Sequence, residues 1–448
     1  MTGSGVKNAW EKGAPTKSPR AGKPISYLAG AFLTALSILA PAGASASEPL
    51  DLPFGEAYQM ALASNHDIRT ARESVEQGVL LEKQALTVLF PNLTATAGYS
   101  WQNFTDGTEY DGTSWGLSLT QTIYNGGRVW VAKRGAEYTK KAAELGLEFA
   151  RQSVLMDLVA RANQFLSAED LFLVARKQVE RVSEQLRLAE TRLELGDVPR
   201  TSVLTAQVAL SSAQLEVVGA QQEVALAARR LATLIGSEGN VRIRVPGISA
   251  SPENWALAEL ISVGVGKRAD LAQARELVRI SREEAELVSR SDNPNVDLSG
   301  SYMRYSEDDT GFPESQVAIT LTWPFFQGGL VGLQTKEALS RVRQTEEAYG
   351  QQLERARLEV EEALLNLQTL NAKSSLVQTN LVNARENRRL ARARFELGAA
   401  VDLDLLRAEE DLAEAENQEV NHRYEMETAR AALLFAIGAL EPGVFDME

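Results

Sequence analysis

Apolar residues alternate between two periodic regimes along this chain. From Arg128 to Leu195, and again from Leu330 to Leu397, there is no proline and the apolar positions advance by steps of three and four. In the first stretch they fall at Phe172, Ala175, Val179, Val182, Leu186, Ala189 and Leu193. That spacing holds one seam of a helix against a partner helix. At 1.5 Å per residue, about 67 residues make a rod of roughly 100 Å. Glu, Arg and Gln crowd the remaining faces, so the rods are expected to lie in water.

Ahead of each rod the period changes to two. Leu93, Ala95, Ala97, Tyr99 and Trp101 alternate with Thr94, Thr96, Gly98, Ser100 and Gln102. After a loop rich in Asp, Gly and Thr (Thr105 to Thr113), Trp115, Leu117 and Leu119 continue the alternation. Val296, Leu298, Gly300 and Tyr302, then Val317, Ile319, Leu321 and Trp323, repeat it further on. These read as four strands of about ten residues, each rising roughly 23 Å at a tilt near 45°, close to the apolar band of an outer membrane. Trp101, Trp115, Tyr302 and Trp323 sit near strand ends, where an aromatic girdle belongs. Alternation alone fits soluble hairpins on a core equally well. Four strands cannot close a barrel, and lipid forbids an open edge, so a membrane reading requires several copies of the chain.

The two halves are copies. Pro91-Asn92-Leu93 recurs as Pro294-Asn295-Val296, an offset of 203 residues (294 − 91). Thr120 to Gly127 recurs as Thr322 to Gly329, and Arg192 to Gly196 as Arg394 to Gly398, both at 202 (322 − 120, 394 − 192). An offset this steady means a duplicated unit of about 200 residues. The resulting map places the first repeat at 47–240, with strands 93–103 and 114–124, a long helix 128–195 and a helix 199–235. A Gly-, Pro- and Ser-rich linker at 241–255 is expected on the outside, midway along the rods. The second repeat, 256–448, has strands 295–305 and 315–324, a long helix 330–397 and a helix 401–437.

Composition narrows the function. The formal charge is −14. Residues 1–46 contribute +4 (Lys7, Lys12, Lys17, Arg20 and Lys23 against Glu11), leaving −18 (−14 − 4) on the rest. An acidic chain without a basic stripe is not a nucleic-acid binder. There is no cysteine, and the two histidines, His66 and His422, lie far apart. Cys-ligated metal and His-based catalysis therefore have little to draw on, and no cofactor or metal is implied. No G-x-S-x-G, H-E-x-x-H or phosphate loop occurs. The basic start, the apolar run from Tyr27 to Ala40 and the Ala44-Ser45-Ala46 site read as a signal peptide over 1–46. After it no apolar stretch approaches the roughly 20 residues of a membrane-crossing helix, so any membrane part must be strand.

Glycine pairs mark the joints from strand to helix, Gly126-Gly127 and Gly328-Gly329, and prolines mark those from helix to strand, Pro91 and Pro294. With the turns at Leu195-Gly196 and Leu397-Gly398, the order, spacing and duplication of these joints resemble the TolC-like outer-membrane efflux family over essentially the whole mature chain. The resemblance implies a mainly helical fold with a small transmembrane β part. It implies a homotrimer, with a twelve-strand barrel in outer-membrane lipid above a helical tunnel reaching into the periplasm. It also implies a periplasmic adaptor and an inner-membrane pump as partners. Arg192, Leu193, Leu195 and Gly196, with Arg394, Phe395, Leu397 and Gly398, become candidate adaptor-docking residues, although a plain helix C-cap explains the glycines too. The family's entrance commonly carries two acidic residues one helical turn apart. Asp404 occupies the first place and Arg407 the second, while Asp402 suits the helix start. Three copies of Asp404 would form a carboxylate ring that attracts cations; Arg407 could neutralise it. The expected role is the exit duct of a tripartite efflux system. A type I protein secretion channel and a periplasmic coiled-coil scaffold or adaptor are the alternatives.

Overall fold

The computed structural model describes residues 50–103, 105, 109–239, 241–248, 256–307, 310–397 and 402–445. The segment expected as a signal peptide, Gly398 and residues 249–255 of the expected linker fall outside them.

Each repeat opens with a broken helix. In the first, α1 (Phe54–Ser64) gives way to α2 (His66–Thr87) at Asn65. The Asn65 side chain accepts hydrogen bonds from the backbone N–H groups of Asp67 at 2.7 Å and Ile68 at 3.2 Å, so it starts the new helix. In the second, α5 (Leu257–Lys267) and α6 (Ala269–Ser289) break at Arg268. Its buried guanidinium forks onto Asp270 at 3.0 and 2.8 Å and donates to the Ala436 carbonyl at 3.2 Å. Burial pushes the Asp270 carboxyl up, but hydrogen bonds from Arg268 and Gln352 overcome it and hold the group below the usual carboxylate range.

Four strands form one antiparallel sheet: β2 (Asn92–Asn103), β3 (Glu109–Asn125), β5 (Asn295–Glu307) and β6 (Thr310–Thr322), in that order. Two strands differ most from the sequence expectation. β3 begins at Glu109 rather than 114, taking in much of the polar loop, and β6 runs Thr310–Thr322 rather than 315–324. Residues at the outer end of a hairpin can be polar and still pair, while Pro324 has no N–H to give a ladder. Register puts Leu93 opposite Leu119, Leu117 opposite Tyr302, and Leu298 opposite Ile319. One face is thus mainly apolar, interrupted by Gln121, Gly300, Arg304 and Ser315, and the other is mainly Thr, Ser and Gly, with Asp297 and Met303 among them. Leu93, Trp115, Leu117, Val317, Ile319 and Leu321 are all exposed on the apolar face.

Two helices of 67 residues follow, α3 (Arg128–Glu194) and α7 (Leu330–Glu396). Each folds back on a shorter one, α4 (Arg200–Ile235) and α8 (Asp402–Ala436). The α3 helix packs along α2, α4, α6 and α8, whereas α7 packs along α5, α6 and α8. Coverage from both sides shifts the α3 seam by a residue or so from the expected one. Towards the tip the buried positions are Val174, Gln178, Val182, Gln185 and Ala189, while Phe172, Ala175, Val179 and Leu186 flank them half-buried. The α4 helix holds a window with mean hydropathy 1.2, long and apolar enough to cross a membrane, where the sequence reading expected none. Its exposed line of Leu204, Val208, Leu215 and Val218 is instead spaced as a packing seam.

The main core sits midway along the rods. Leu155, Leu158 and Phe165 of α3 and Leu367 of α7 meet Leu231, Ile235, Leu260, Leu433 and Ile437. Burying each such side chain contributes about 1.5–3 kcal/mol. The segment expected as linker contributes β4 (Val241–Ile243), which pairs in parallel with β1 (Leu50–Leu52) and buries Val241 and Ile243. Ile248 bridges to Phe445, whose ring lies 4.8 Å from that of Phe54.

Candidate functional site

The strand-to-helix joints come first along the chain. Gly126 and Gly127 take φ of +68° and +76°, and Gly328 and Gly329 take +61° and +81°, the left-handed region that turns an outgoing strand into a helix start. At Gly126 a Cβ would lie 2.4 Å from the Asn293 side chain, and Asn293 donates to the Gly126 carbonyl at 3.0 Å. The α6–β5 turn, which ends on Pro294, therefore sits directly on the first joint. A Cβ at Gly328 or Gly329 would meet nothing within 4 Å. The α2–β2 turn carries Pro91 and the exposed Phe90.

At the far end α3 stops at Glu194 because Gly196 adopts φ +80°. Gly196 N–H bonds the Leu193 carbonyl at 3.0 Å and Asp197 N–H the Arg192 carbonyl at 2.9 Å, a Schellman cap. The Arg192 guanidinium stacks 4.1 Å over the Phe395 ring and donates to the Phe395 carbonyl at 2.6 Å. It thereby satisfies the end of α7 and ties the ends of α3 and α7 together. This corrects the sequence expectation for Phe395, which is buried and faces Arg192 instead of offering a docking surface. Leu193 is half-buried; Leu195, Arg394 and Leu397 are exposed.

Asp402 opens α8, with Asp404 and Arg407 exposed and Leu405 and Leu406 buried. No ion pair joins Asp404 to Arg407 among the described residues. Deeper on the same helix stands a group that sequence reasoning missed. Glu409, 3% exposed, lies 2.7 Å from Arg388 Nε of α7 and 3.0 Å from Arg181 Nε of α3. Arg181 also donates to Glu416 at 3.2 Å and to Gln178. One carboxylate thus ties the helix bearing Asp404 to both neighbours. Further from the tip, Asn163 pairs with Thr428 at 3.1 Å and Tyr424 with Asp170 at 2.8 Å. The α3–α8 seam is a ladder of polar contacts. Burial, then the bond to Asp170, pushes the Tyr424 hydroxyl up to about 12. Any charge could have suggested Glu409, but only the packing of α3 across α8 singles it out.

A family model described as outer membrane efflux protein matches residues 57–237 and 260–439. The alkaline protease secretion protein AprF of Pseudomonas aeruginosa is 25% identical over 456 residues, covering 94% of this chain and 90% of that protein. The outer membrane protein TolC of Escherichia coli is 23% identical over 416 residues, covering 86% of this chain and 82% of that one. The solved CmeC outer membrane channel of Campylobacter jejuni aligns with a TM-score of 0.76 at 19% identity, covering 86% of each chain.

Proposed function

The chain belongs to the outer membrane efflux protein family, and from that premise we propose how it works as an exit duct. It is a passive outer-membrane channel that extends into the periplasm, not an enzyme. Three copies close twelve strands into a barrel, apolar face to lipid and polar face to the lumen, over a tunnel of rods. The observation that carries this reading is a four-stranded sheet whose apolar face is uncovered and whose edge strands, β2 and β6, are each paired on one side only among the described residues. Substrate passes from an inner-membrane pump through an adaptor docked at the tip, where Leu195, Arg394 and Leu397 supply the exposed contact. Asp404 lines the entrance, and α8 swings outward to open it.

The test is electrical. Purified trimers in planar bilayers should conduct, with cation block at the entrance, and Asp404→Ala should raise conductance and relieve the block. Unchanged conductance and block would remove Asp404 from the gate. A second reading, a protein secretion channel, is supported by the likeness to AprF along 94% of the chain. Deleting the gene separates the two: a drug- or metal-sensitive strain with normal secretion supports efflux, and loss of a secreted protein supports the other.

A further inference from the structure

About halfway along the rods, α4, α3, α8 and α7 share a cavity of about 600 Å³, room enough for a drug-sized molecule. Asn163, Ala220, Asn366 and Tyr424 line it, one from each of the four helices. A space touched by all four lies on the concave side of this helix layer. It is also the side turned away from the short strands. Glu169, which holds Arg242 of β4 at 2.9 Å, stands two residues from both Ser167 and Leu171 of the lining, about 200° round the helix. In a ring of rods the concave side faces the axis, so the cavity opens into the lumen.

Its chemistry is one-sided. The lining holds two carboxylates, Glu223 of α4 and Glu425 of α8, and no Lys, Arg or His. Both are exposed, and neither has an ion pair or hydrogen bond among the described residues. Nearby cations are engaged elsewhere, Arg423 by Asp170 and Arg430 by Glu427. Between the carboxylates the floor is largely apolar, with Ala168, Leu171 and Ala429. Its polar members are already bonded, Asn163 to Thr428 and Tyr424 to Asp170, which fixes its shape.

Both repeats contribute alike. Glu223 and Glu425 occupy the same repeat position (425 − 223 = 202), as do the exposed amides Gln164 and Asn366 (366 − 164 = 202). The repeats agree here although their neighbours differ, Gln222 against Tyr424 and Leu226 against Thr428. No group of three or more side chains able to hold a metal ion occurs among the described residues. Two carboxylates across an apolar floor suit a bulky organic cation better than a bare metal ion, which needs several converging oxygens.

We infer that this cavity is a resting site for cargo, and that the cargo it takes is an amphipathic organic cation. The apolar body lies on α3 and α8, and the positive group sits between Glu223 and Glu425. This rests on the channel reading above and adds a substrate class to it. Three copies bring six carboxylates (2 × 3) to one level of the lumen, a negative girdle that concentrates cations.

The test is calorimetric titration of purified trimers with two probes. Tetraphenylphosphonium should bind saturably, one per chain, and Glu223→Gln/Glu425→Gln protein should bind it about tenfold more weakly. Tetramethylammonium carries the charge without the apolar body and should bind the parent at least roughly tenfold more weakly than tetraphenylphosphonium does. Both Glu side chains are exposed, so the double variant should still give heat-modifiable trimers; if it does not, each single variant should lose about threefold. Tetraphenylphosphonium affinity unchanged by the substitutions overturns the site. Equal affinity for the two cations, with equal loss in the variant, overturns it too, because the carboxylates then act only as a diffuse field. Either result in parent trimers that conduct in planar bilayers leaves the channel reading standing. Parent protein that neither forms trimers nor conducts would remove that reading, and the lumen site with it.

Discussion

Replacing Glu409 tests whether a buried charge holds the entrance shut. Its carboxylate contacts two guanidiniums on two helices, at 2.7 and 3.0 Å. At an effective dielectric near 20, each such pair is worth about 4 kcal/mol before desolvation. Breaking a fully buried pair costs about 3–5 kcal/mol. The loss here is smaller, because Arg388 reaches solvent and Arg181 keeps Glu416 and Gln178. Glu409→Gln keeps the shape and one acceptor but removes the charge, so about 1–2 kcal/mol is expected. If that energy favours the closed arrangement, the open-to-closed ratio rises about 5–30-fold, since 1.4 kcal/mol is tenfold. Single-channel recording of purified trimers reads this as open probability. Arg181→Gln should raise it too, and the double variant should fall short of the product of the two, because both remove one interaction. Open probability within twofold of the parent, in a protein that still forms trimers, would refute the latch.

Other outcomes follow from single groups. Asp270→Asn should lower the thermal midpoint at pH 7, since the folded carboxyl titrates below its ordinary value. That contribution is full above the unfolded value near ~3.9 and is lost as pH falls through the folded one, so parent and variant midpoints should converge in strong acid. Tyr424 should ionise at about 12 in a difference-absorbance titration of parent against Tyr424→Phe; a difference centred near the ordinary ~10 would mean the Asp170 bond is absent. Gly126→Ala should cost about 1–2 kcal/mol from backbone handedness alone, and more from the 2.4 Å approach to Asn293. Heat-modifiability on gels should show less folded trimer, and Asn293→Gly, which removes the Cβ at 2.4 Å, should restore part of it.

The rods, the sheet and their duplication were legible because their signals are long. A seam sustained over many turns without proline has one structural reading, and a repeat offset cannot arise from local propensity. Short or cross-chain features were not. β1 and β4 have three residues each, too few to display an alternation. The Glu409 network was hidden among many charges on solvated helices. Arg181 lies far from Glu409 in sequence, and nothing local says which Glu will be covered. Phe395 looked like a docking residue because it ends a rod beside a turn. Its burial comes from Arg192, on the other repeat.

The identical length of α3 and α7, 67 residues each, limits how such a protein can change size. One residue added to a single rod would advance its end by about 1.5 Å and turn it by about 100°, parting Arg192 from Phe395. Only whole heptads, about 10.5 Å at a time, placed in both rods and in their returning partners restore the same faces. Reach across the periplasm is thus a quantised trait, adjustable by concerted duplication and closed to gradual drift.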